Sequence, residues 1–159
     1  MSFTIVSAYE ELDSVRVLFR EYVDWLDMDL SFQGFEEELH ILPGKYAAPE
    51  GRLYLAKSGE TPAGCIALRR FDAQRCEMKR LYVRPAFRGQ GLGQLLARRL
   101  LAEATEQGYE TMLLDTMQGR MGAALGMYRR LGFREIAPYY VNPAADAVYL
   151  EKRLREPGL

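Results

Sequence analysis

The sequence predicts an α/β protein of the mixed α+β kind, with a mostly antiparallel central sheet of about seven strands and helices on both faces. Three observations predict this fold. Four segments repeat apolar residues at steps of three and four, the period of a helix with one buried face. Seven short runs are rich in β-branched and aromatic residues. One segment, 76–115, has the order strand, helix, strand, whereas short turns join the strands that precede it. The length of 159 residues suits a single domain spanning 1–159.

The first third of the chain predicts one strand followed by two helices. Residues 3–8 are rich in β-formers. From 9 to 30 the apolar residues recur at helical spacing, and 31–42 predicts a second, shorter helix. Prolines and glycines make 43–51 a loop.

The middle of the chain predicts three strands, at 52–58, 63–71 and 76–83. The turns between them are short, so these strands form an antiparallel meander. Pro85 ends the third of them, because proline removes a backbone donor from the sheet.

A helix over 92–107 connects the strand 76–83 to the apolar strand 110–116. Such a connection makes the two strands parallel, with a right-handed crossover. A further helix at 119–131 and two strands, at 133–138 and 147–154, complete the chain.

The composition excludes several classes of function. The net charge is −1 at pH 7, so no electrostatic footprint for nucleic acid is present. The longest apolar runs fall far short of the about 20 residues of a membrane span. MSFTIVSAYEEL lacks the basic and long apolar segments of a signal peptide, so we expect a cytoplasmic protein. His40 is the single histidine, so we expect no metal site.

The two cysteines are expected to be free and buried. In a hairpin of the strands 63–71 and 76–83, Cys76 lies near Arg70 and Cys65 near Leu81. The two sulfurs are then several residues out of register, which is too far for a disulfide.

A glycine-rich segment, RGQGLG, stands directly before the helix at 92–107. The first amides of a helix have no partner inside it, and glycines let the backbone approach a phosphate. A dinucleotide site would need glycine at position 94, where Gln94 stands, and no phosphate-loop lysine follows. A plain turn before a helix is the alternative.

The residues Arg88-Gly89-Gln90-Gly91-Leu92-Gly93 resemble the Arg/Gln-x-x-Gly-x-Gly/Ala motif of the GNAT superfamily of N-acetyltransferases. The segment MYRRLGF (127–133) resembles that family's Tyr-x-x-x-Gly-Phe segment. The resemblance implies the acyl-CoA N-acyltransferase fold and an acetyl-CoA-dependent N-acetyltransferase. It implies direct attack of a primary amine on the thioester in a ternary complex.

The resemblance also implies how acetyl-CoA is held. The fourth and fifth strands would splay apart, and the pantetheine arm would pair with the freed edge of the fourth. The backbone amides of the glycine segment would hold the pyrophosphate. The implied cofactor-binding residues are Leu81, Tyr82, Val83, Arg88, Gly89, Gln90, Gly91, Leu92, Gly93 and Tyr128. Lys79, Arg80, Arg84 and Arg129 are candidates for a cationic rim around the 3′-phosphate.

Two catalytic residues follow from the family motif. Tyr128 stays protonated at neutral pH and would donate to the leaving sulfur, unless it is only a core aromatic. Glu77 would be the base, directly or through water, with Asp115 as the second candidate. By strict alternation Glu77 shares a face with Lys79, Leu81 and Val83, and a bulge would re-aim it. A solvated or Lys79-paired carboxylate is the alternative for Glu77.

Many family members have an asparagine seven residues before the tyrosine, where it contacts the pantetheine. In this chain Met121 stands at that position. Either a backbone group replaces the asparagine or the pantetheine arm is held less firmly.

Aromatic and amide side chains indicate where the acceptor binds. Tyr139, Tyr140 and Asn142 would line the far mouth of the splay, and Phe32 the opposite side, together with Gln33, Phe35 and Glu36. These groups suit a small-molecule amine or an amino acid, although packing tyrosines in a turn are an alternative. The other functions left open are a non-catalytic acyl-CoA sensor and a protein lysine or N-terminal acetyltransferase. A homodimer is also left open.

Overall fold

Seven strands form one sheet in the computed structural model, which describes residues 2–26, 34–119 and 121–155. The strands are β1 (Thr4–Ser7), β2 (Arg52–Ser58), β3 (Thr61–Arg70), β4 (Arg75–Val83), β5 (Thr111–Met117), β6 (Arg134–Ile136) and β7 (Ala147–Arg153). Their order in the sheet is β1-β2-β3-β4-β5-β7-β6. The β4–β5 pair is parallel and the other neighbouring pairs are antiparallel, as the sequence predicts.

Helices cover both faces of the sheet. They are α1 (Leu12–Leu26), α2 (Phe35–Ile41), α3 (Leu92–Gln107) and α4 (Gly122–Arg130). One apolar core lies under α1 and α2, and the other lies under α3 and α4. The two-sided arrangement confirms the fold prediction.

The first helix begins at Leu12 instead of at residue 9. The amide of Glu11 donates to the carbonyl of Ala8, which closes a turn before the helix. The hydroxyl of Tyr9 donates to the carbonyl of Tyr46, 2.8 Å away. Tyr9 therefore anchors the chain to the loop before β2 instead of entering the helix.

Within the three described ranges, no helix combines the length and the apolar character needed to cross a membrane.

The hairpin of β3 and β4 has the expected register at its closed end only. Cys76 faces Arg70 as predicted, but Cys65 faces Tyr82, one residue beyond the predicted Leu81. Both cysteines are buried and free, which confirms the expected thiols. The one-residue difference means that β4 has an extra residue between these two positions.

That extra residue is a β-bulge at Arg80. Ala67 faces Lys79, whereas Cys65, two residues earlier in β3, faces Tyr82, which is three residues further along β4. Arg80 has φ 62°, in the left-handed region that a side chain rarely adopts. The bulge therefore stores local strain that the surrounding structure must offset.

The bulge reverses the direction of the side chains that follow it. Lys79 and Arg80 both lie on the side of α1 and α2, whereas Leu81 and Val83 pack against the core under α3 and α4. The prediction that Leu81 and Val83 share a face with Glu77 was therefore wrong. Strict alternation ends at Lys79, because an inserted residue shifts the two-residue period by one.

A buried ion pair fixes the bulge to α2. The Nε and Nη2 of Arg80 each donate to a carboxylate oxygen of Glu38 at 3.0 Å, and the two side chains are only 3% and 6% exposed. Lys45 lies 3.4 Å from the same carboxylate, and the guanidinium of Arg80 lies 5.5 Å from the ring of Phe35. Burial opposes ionisation of Glu38, but the hydrogen bonds and charge of Arg80 hold its pKa below the ordinary value.

Replacing Glu38 by Gln should lower the free energy of unfolding by about 3 kcal/mol, because Arg80 then stays buried opposite a neutral group. Glu37→Gln, at an exposed position of the same helix, is the matched control and should change it by less than about 0.5 kcal/mol. Urea denaturation near neutral pH measures both effects.

The stability difference between wild type and Glu38→Gln should also depend on pH. The pKa of Glu38 in the folded protein lies below its ordinary 4.5. Its stabilising contribution is therefore complete above that pH and is lost as the pH falls through the lower, folded-state value. A stability difference that stays constant into strong acid would contradict the role of this ion pair.

Candidate active site

The parallel pair of strands separates halfway along its length. The pairing of β4 with β5 ends at Glu77 and Leu113, although β4 continues to Val83 and β5 to Met117. Beyond that point β4 pairs with β3, and β5 pairs with β7. The bulge at Arg80 bends β4 just where the strands part, as bulges do. The splay expected between the fourth and fifth strands is therefore present.

One cavity opens at the wide end of the splay. We call it the outer cavity; its volume is about 430 Å³. It is lined by the end of β4, the loop before α3, the first turn of α3, and α4. Its lining residues include Trp25, Leu81, Tyr82, Val83, Phe87, Arg88, Gly89, Gly91, Leu92, Gly93, Gln94, Met121 and Arg130.

The outer cavity brings together eight of the predicted cofactor-binding residues, from Leu81 to Gly93. Two of the predicted residues are missing from its lining. Gln90 is exposed in the loop, and Tyr128 lies deeper in the splay. The glycine-rich segment therefore lines the outer cavity with its three glycines and with Arg88 and Leu92.

The first turn of α3 is built to receive an anion. Gly91 precedes the helix with φ 79° and no side chain caps it. Gly89 has φ 78°, and a Cβ added at Gly89 or Gly91 would meet nothing within 4 Å. The amides at the start of the helix carry a partial positive charge, and the two glycines leave their approach open.

Arg88 lies at the edge of the outer cavity in a fixed position. Its Nε donates to the carbonyl of Val83, 2.9 Å away. Its guanidinium lies 5.0 Å from the ring of Trp25 and 5.8 Å from that of Tyr82. Trp25 was not among the predicted site residues, because the sequence pattern of α1 indicates a helix but not which of its residues reach the cavity.

Three of the four residues predicted for the cationic rim, Lys79, Arg80 and Arg84, are absent from the lining of the outer cavity. Arg80 is buried in its pair with Glu38. Arg84 donates from Nε and Nη2 to Glu21 at 3.0 and 2.7 Å. Arg130 lines the outer cavity instead.

A second, smaller cavity continues inward from the first. We call it the inner cavity; its volume is about 40 Å³. It is lined by Tyr22, Leu26, Met78, Lys79, Arg80, Leu81, Leu114, Asp115, Thr116, Met117, Met121, Tyr128 and Asn142. Leu81 and Met121 line both cavities, so the two spaces adjoin between the separated strands.

Met121, at the position of the family's asparagine, stands at this junction. Its sulfur accepts a hydrogen bond from the hydroxyl of Thr116 at 3.4 Å. An apolar thioether therefore stands between the two cavities, at the position where the resemblance implied an asparagine.

Tyr128 lines the inner cavity from α4. Its ring packs edge-on against Phe133, with the centroids 5.8 Å apart. Burial raises the pKa of Tyr128 well above its ordinary value, and the charge of Asp115 adds to the effect. The hydroxyl is therefore protonated at neutral pH and is able to donate a proton or a hydrogen bond.

Asp115 lines the inner cavity from β5. Its Oδ2 accepts hydrogen bonds from the hydroxyl of Tyr140 and from Nδ2 of Asn142, the latter at 2.9 Å. Asn142 also lines the cavity, whereas Tyr140 is absent from its lining. The predicted second candidate for the base therefore has direct access to the cavity.

Glu77 lies outside the cavity lining and is only 2% exposed. Its Oε1 accepts a hydrogen bond from Nε of Arg69, and its Oε2 accepts one from the hydroxyl of Tyr139, both at 2.7 Å. Burial opposes its ionisation, but the charge of Lys79 and these hydrogen bonds hold its pKa below the ordinary value. Glu77 is therefore an ionised carboxylate with both oxygens engaged.

An aromatic cluster positions the loop after β6. Tyr139 packs against Phe71 and Tyr149 with centroids 5.4 Å apart in each case. The hydroxyl of Tyr149 donates to the carbonyl of Tyr140 and accepts from the amide of Asn142. Tyr139 and Tyr140 are therefore packing residues, as the alternative interpretation held, and they also donate hydrogen bonds to Glu77 and Asp115.

Two of the four residues predicted for the opposite wall, Phe35 and Glu36, lie away from the cavity. Phe35 is buried in the core under α2, and Glu36 pairs with Arg20 at 3.0 Å on the surface. Phe32 and Gln33 lie outside the described residues. Tyr22 and Leu26 of α1 line the cavity instead, and their helical spacing indicated only core positions.

Lys79 lies on the predicted face of β4, together with Glu77, but not in the predicted cationic rim. It is buried and lines the inner cavity, not the mouth of the outer one. Burial lowers its pKa to about 8, while the charge of Glu77 opposes that shift. No local motif marks this position, because the parting of β4 from β5, and not the alternation along β4, places a cavity beside Lys79.

The family model described as the acetyltransferase (GNAT) family matches residues 18–133 of the chain. The chain is 35% identical to an uncharacterized N-acetyltransferase of Dictyostelium discoideum, over 98% of this chain and the full length of that protein.

Solved structures share the fold. An acetyltransferase of the GNAT family from Staphylococcus aureus matches with a TM-score of 0.80 and 20% identity, over 97% of this chain and 100% of that one. The PaiA N-acetyltransferase of Thermoplasma acidophilum, solved in complex with coenzyme A, matches with a TM-score of 0.73 and 19% identity, over 96% and 99% of the two chains.

Replacing Tyr139 by Phe should raise the pKa of Glu77, because burial then acts against a carboxylate that has lost one hydrogen bond. Tyr140→Phe removes a hydroxyl from Asp115 instead and is the matched control. Carboxyl-carbon NMR titration of the two variants measures the change. An unchanged Glu77 titration in Tyr139→Phe would contradict the role of this bond.

Proposed function

The chain belongs to the acetyltransferase (GNAT) family and is an N-acetyltransferase with acetyl-coenzyme A as its co-substrate, and we propose that it acetylates the primary amine of a small acceptor. Acetyl transfer takes place by direct attack within a ternary complex. One observation carries the proposal: two cavities adjoin at Leu81 and Met121, one beside an uncapped helix and one lined by Tyr128 and Asp115. The outer cavity would thus hold the acetyl donor and the inner cavity the acceptor, and the two cavities adjoin.

The residues of the outer cavity fit acetyl-CoA. The amides at the start of α3 would hold the diphosphate, since Gly89 and Gly91 leave their approach open. The edge of β4 from Leu81 to Val83 faces the splay and would pair with the amides of the pantetheine arm. Bound there, acetyl-CoA supplies an activated acetyl group and a thiolate as leaving group.

An acceptor amine has to lose a proton before it reacts. For an amine as basic as lysine this costs about 4.6 kcal/mol at neutral pH. We assign the proton to Asp115, directly or through water, because Asp115 lines the inner cavity and Glu77 does not. Glu77 then acts as a positioning residue, which holds Tyr139 and the loop that carries Asn142.

Tyr128 is the proposed acid. It lines the inner cavity beside the junction with the outer one, and its raised pKa keeps the hydroxyl protonated. A protonated hydroxyl at this place would stabilise the leaving thiolate by a hydrogen bond or a proton. The volume of the inner cavity, about 40 Å³, favours a compact acceptor over a peptide segment.

Replacing Gly91 by Ala should weaken acetyl-CoA binding by about tenfold or more, because the new Cβ enters the path of the diphosphate. The positive φ adds a folding cost of about 1–2 kcal/mol. Gly59→Ala is the matched control, with φ 60°, nothing within 4 Å and a place in the β2–β3 turn. Calorimetric titration with acetyl-CoA distinguishes the two variants. Equal affinity in both would contradict the diphosphate site.

Replacing Tyr128 by Phe, or Asp115 by Asn, should lower kcat for thiol release by about 10² or more, because each removes a proton-transfer group. Affinity for acetyl-CoA should change little, since both residues line the inner cavity. Tyr109→Phe, whose hydroxyl bonds the carbonyl of Glu50 elsewhere in the protein, is the control and should keep full activity.

The comparison of Asp115→Asn with Glu77→Gln tests which carboxylate receives the proton. Asp115→Asn should lower kcat by about 10² or more across the pH range, whereas Glu77→Gln should lower it by less than about tenfold, because Glu77 only positions the loop. The opposite result would make Glu77 the base.

A further inference from the structure

Met121 lies at the junction of the two cavities, where the proposed function assigns it no task. Among the described residues, only Leu81 and Met121 line both the outer and the inner cavity. Leu81 belongs to β4, whereas Met121 follows β5 and is the N-cap of α4. Two apolar side chains from the two sides of the splay therefore stand between a space of about 430 Å³ and one of about 40 Å³.

A side-chain contact and a backbone contact fix the position of Met121. The hydroxyl of Thr116, itself 3% exposed, donates to Sδ of Met121 at 3.4 Å. The amide of Leu125 donates to the carbonyl of Met121 at 3.0 Å. A methionine side chain ordinarily adapts to its surroundings by rotation about three bonds. In this protein Met121 is bonded at both ends and is only 7% exposed, so it acts as a fixed wall.

The space on the inner side of this wall is small and largely apolar. Leu26, Met78, Leu114 and Met117 line the inner cavity beside Met121. At about 40 Å³ the cavity holds only a few groups of the size of a water molecule. Extra methylenes that are forced into a closely packed interior displace side chains and are destabilising. A longer apolar chain therefore has no free space here.

The acyl group of the donor has to reach this junction. In the proposed function the donor lies in the outer cavity and the acceptor amine enters the inner one, so the reacting carbonyl carbon would lie where the cavities adjoin. That carbon exchanges its bond to sulfur for a bond to nitrogen. An amine proton passes to Asp115, and the hydroxyl of Tyr128 stabilises the thiolate. The rest of the acyl group would then lie beside Leu81 and Met121.

We propose that Met121 is a specificity-determining residue, which limits the transferred acyl group to acetyl by occupying the space that a longer chain would need. The resemblance implied an asparagine at this position, and the chain has an apolar side chain of similar length instead. Leu81 forms the opposite boundary, but it also belongs to the strand edge that would pair with the pantetheine arm. Met121 is therefore the residue to vary. This inference rests on the proposed function, because it concerns the donor of the same reaction.

The test compares the binding of coenzyme A, acetyl-CoA and butyryl-CoA by calorimetric titration without an acceptor, so the readout does not depend on turnover. In an apolar space with room for them, the two further methylenes of butyryl-CoA would tighten binding by about tenfold or more. Because Met121 occupies that space, butyryl-CoA should bind to the wild-type protein no more tightly than acetyl-CoA. Binding of butyryl-CoA about tenfold tighter than acetyl-CoA by wild type would overturn the proposal.

Three variants assign the effect to the bulk of Met121. Met121→Ala should improve the affinity for butyryl-CoA relative to acetyl-CoA by about tenfold. Its affinity for coenzyme A, which has no acyl group, should change by less than about threefold. Met121→Leu keeps most of the side-chain volume and should keep the wild-type ratio. Met127→Ala is the same truncation on the same helix, at a residue that lines the outer cavity but not the inner one, and should also keep that ratio.

The same preference should appear in acyl transfer. With n-butylamine and L-leucine as probe acceptors, kcat/KM for release of thiol by wild type should be at least about tenfold higher with acetyl-CoA than with butyryl-CoA. Met121→Ala should reduce this difference to less than about threefold. Thermal unfolding establishes that each variant is folded. If Met121→Ala does not fold, the smaller truncation Met121→Val should shift the binding ratio in the same direction by about threefold, and the wild-type comparison needs no variant.

The outcomes separate this inference from the function on which it rests. A binding ratio that is unchanged in Met121→Ala, or that rises equally in Met127→Ala, would overturn the role of Met121 and leave the acetyltransferase intact. If neither acetyl-CoA nor coenzyme A binds, the function and the inference fail together. If acetyl-CoA binds and no amine of any kind releases thiol, the proposed function fails, and the binding ratio still decides the role of Met121.

Discussion

The structure depends on the bulge at Arg80 and on the buried pair that Arg80 forms with Glu38. The bulge holds a side chain in the left-handed region, and both oxygens of Glu38 bind its guanidinium. This contact links α2 to the middle of β4. It stands three residues beyond the last pair that β4 forms with β5. The strain of the bulge and the opening of the splay therefore lie at one place.

The splay opens a gap between β4 and β5 that runs through the sheet. Where two neighbouring strands part, the backbone groups of their facing edges lose their partners, and a ligand is able to take that place. On one side of the passage the start of α3 offers a positive helix end. On the other side Lys79 and Asp115 offer opposite charges. In the proposed function, backbone amides would hold the donor, and the acceptor would meet the buried side chains of the inner cavity.

Glu77 and Asp115 are chemically similar carboxylates, but their different access to the cavity gives them different roles in the proposed function. Glu77 is nearly inaccessible and saturated with hydrogen bonds, so it fixes the geometry of the loop that carries Tyr139. Asp115 reaches the cavity, and its Oδ2 is held by Tyr140 and Asn142. Sequence position alone made Glu77 the first candidate for the base and Asp115 the second. Accessibility distinguishes them, and it arises only when the strands have paired and parted.

The sequence by itself determined the strand and helix order, the single parallel pair, the free cysteines and the glycine segment before α3, because these follow from local periodicity and from backbone freedom at glycine. The tertiary structure alone decided which side chains face the inner cavity. A bulge of one residue at Arg80 changes the face of everything after it, and no nearby residue in the sequence signals it. Arg80 therefore came to lie opposite Glu38, and the parting of β4 from β5 left Lys79 across from Asp115, both through contacts between residues far apart in the chain.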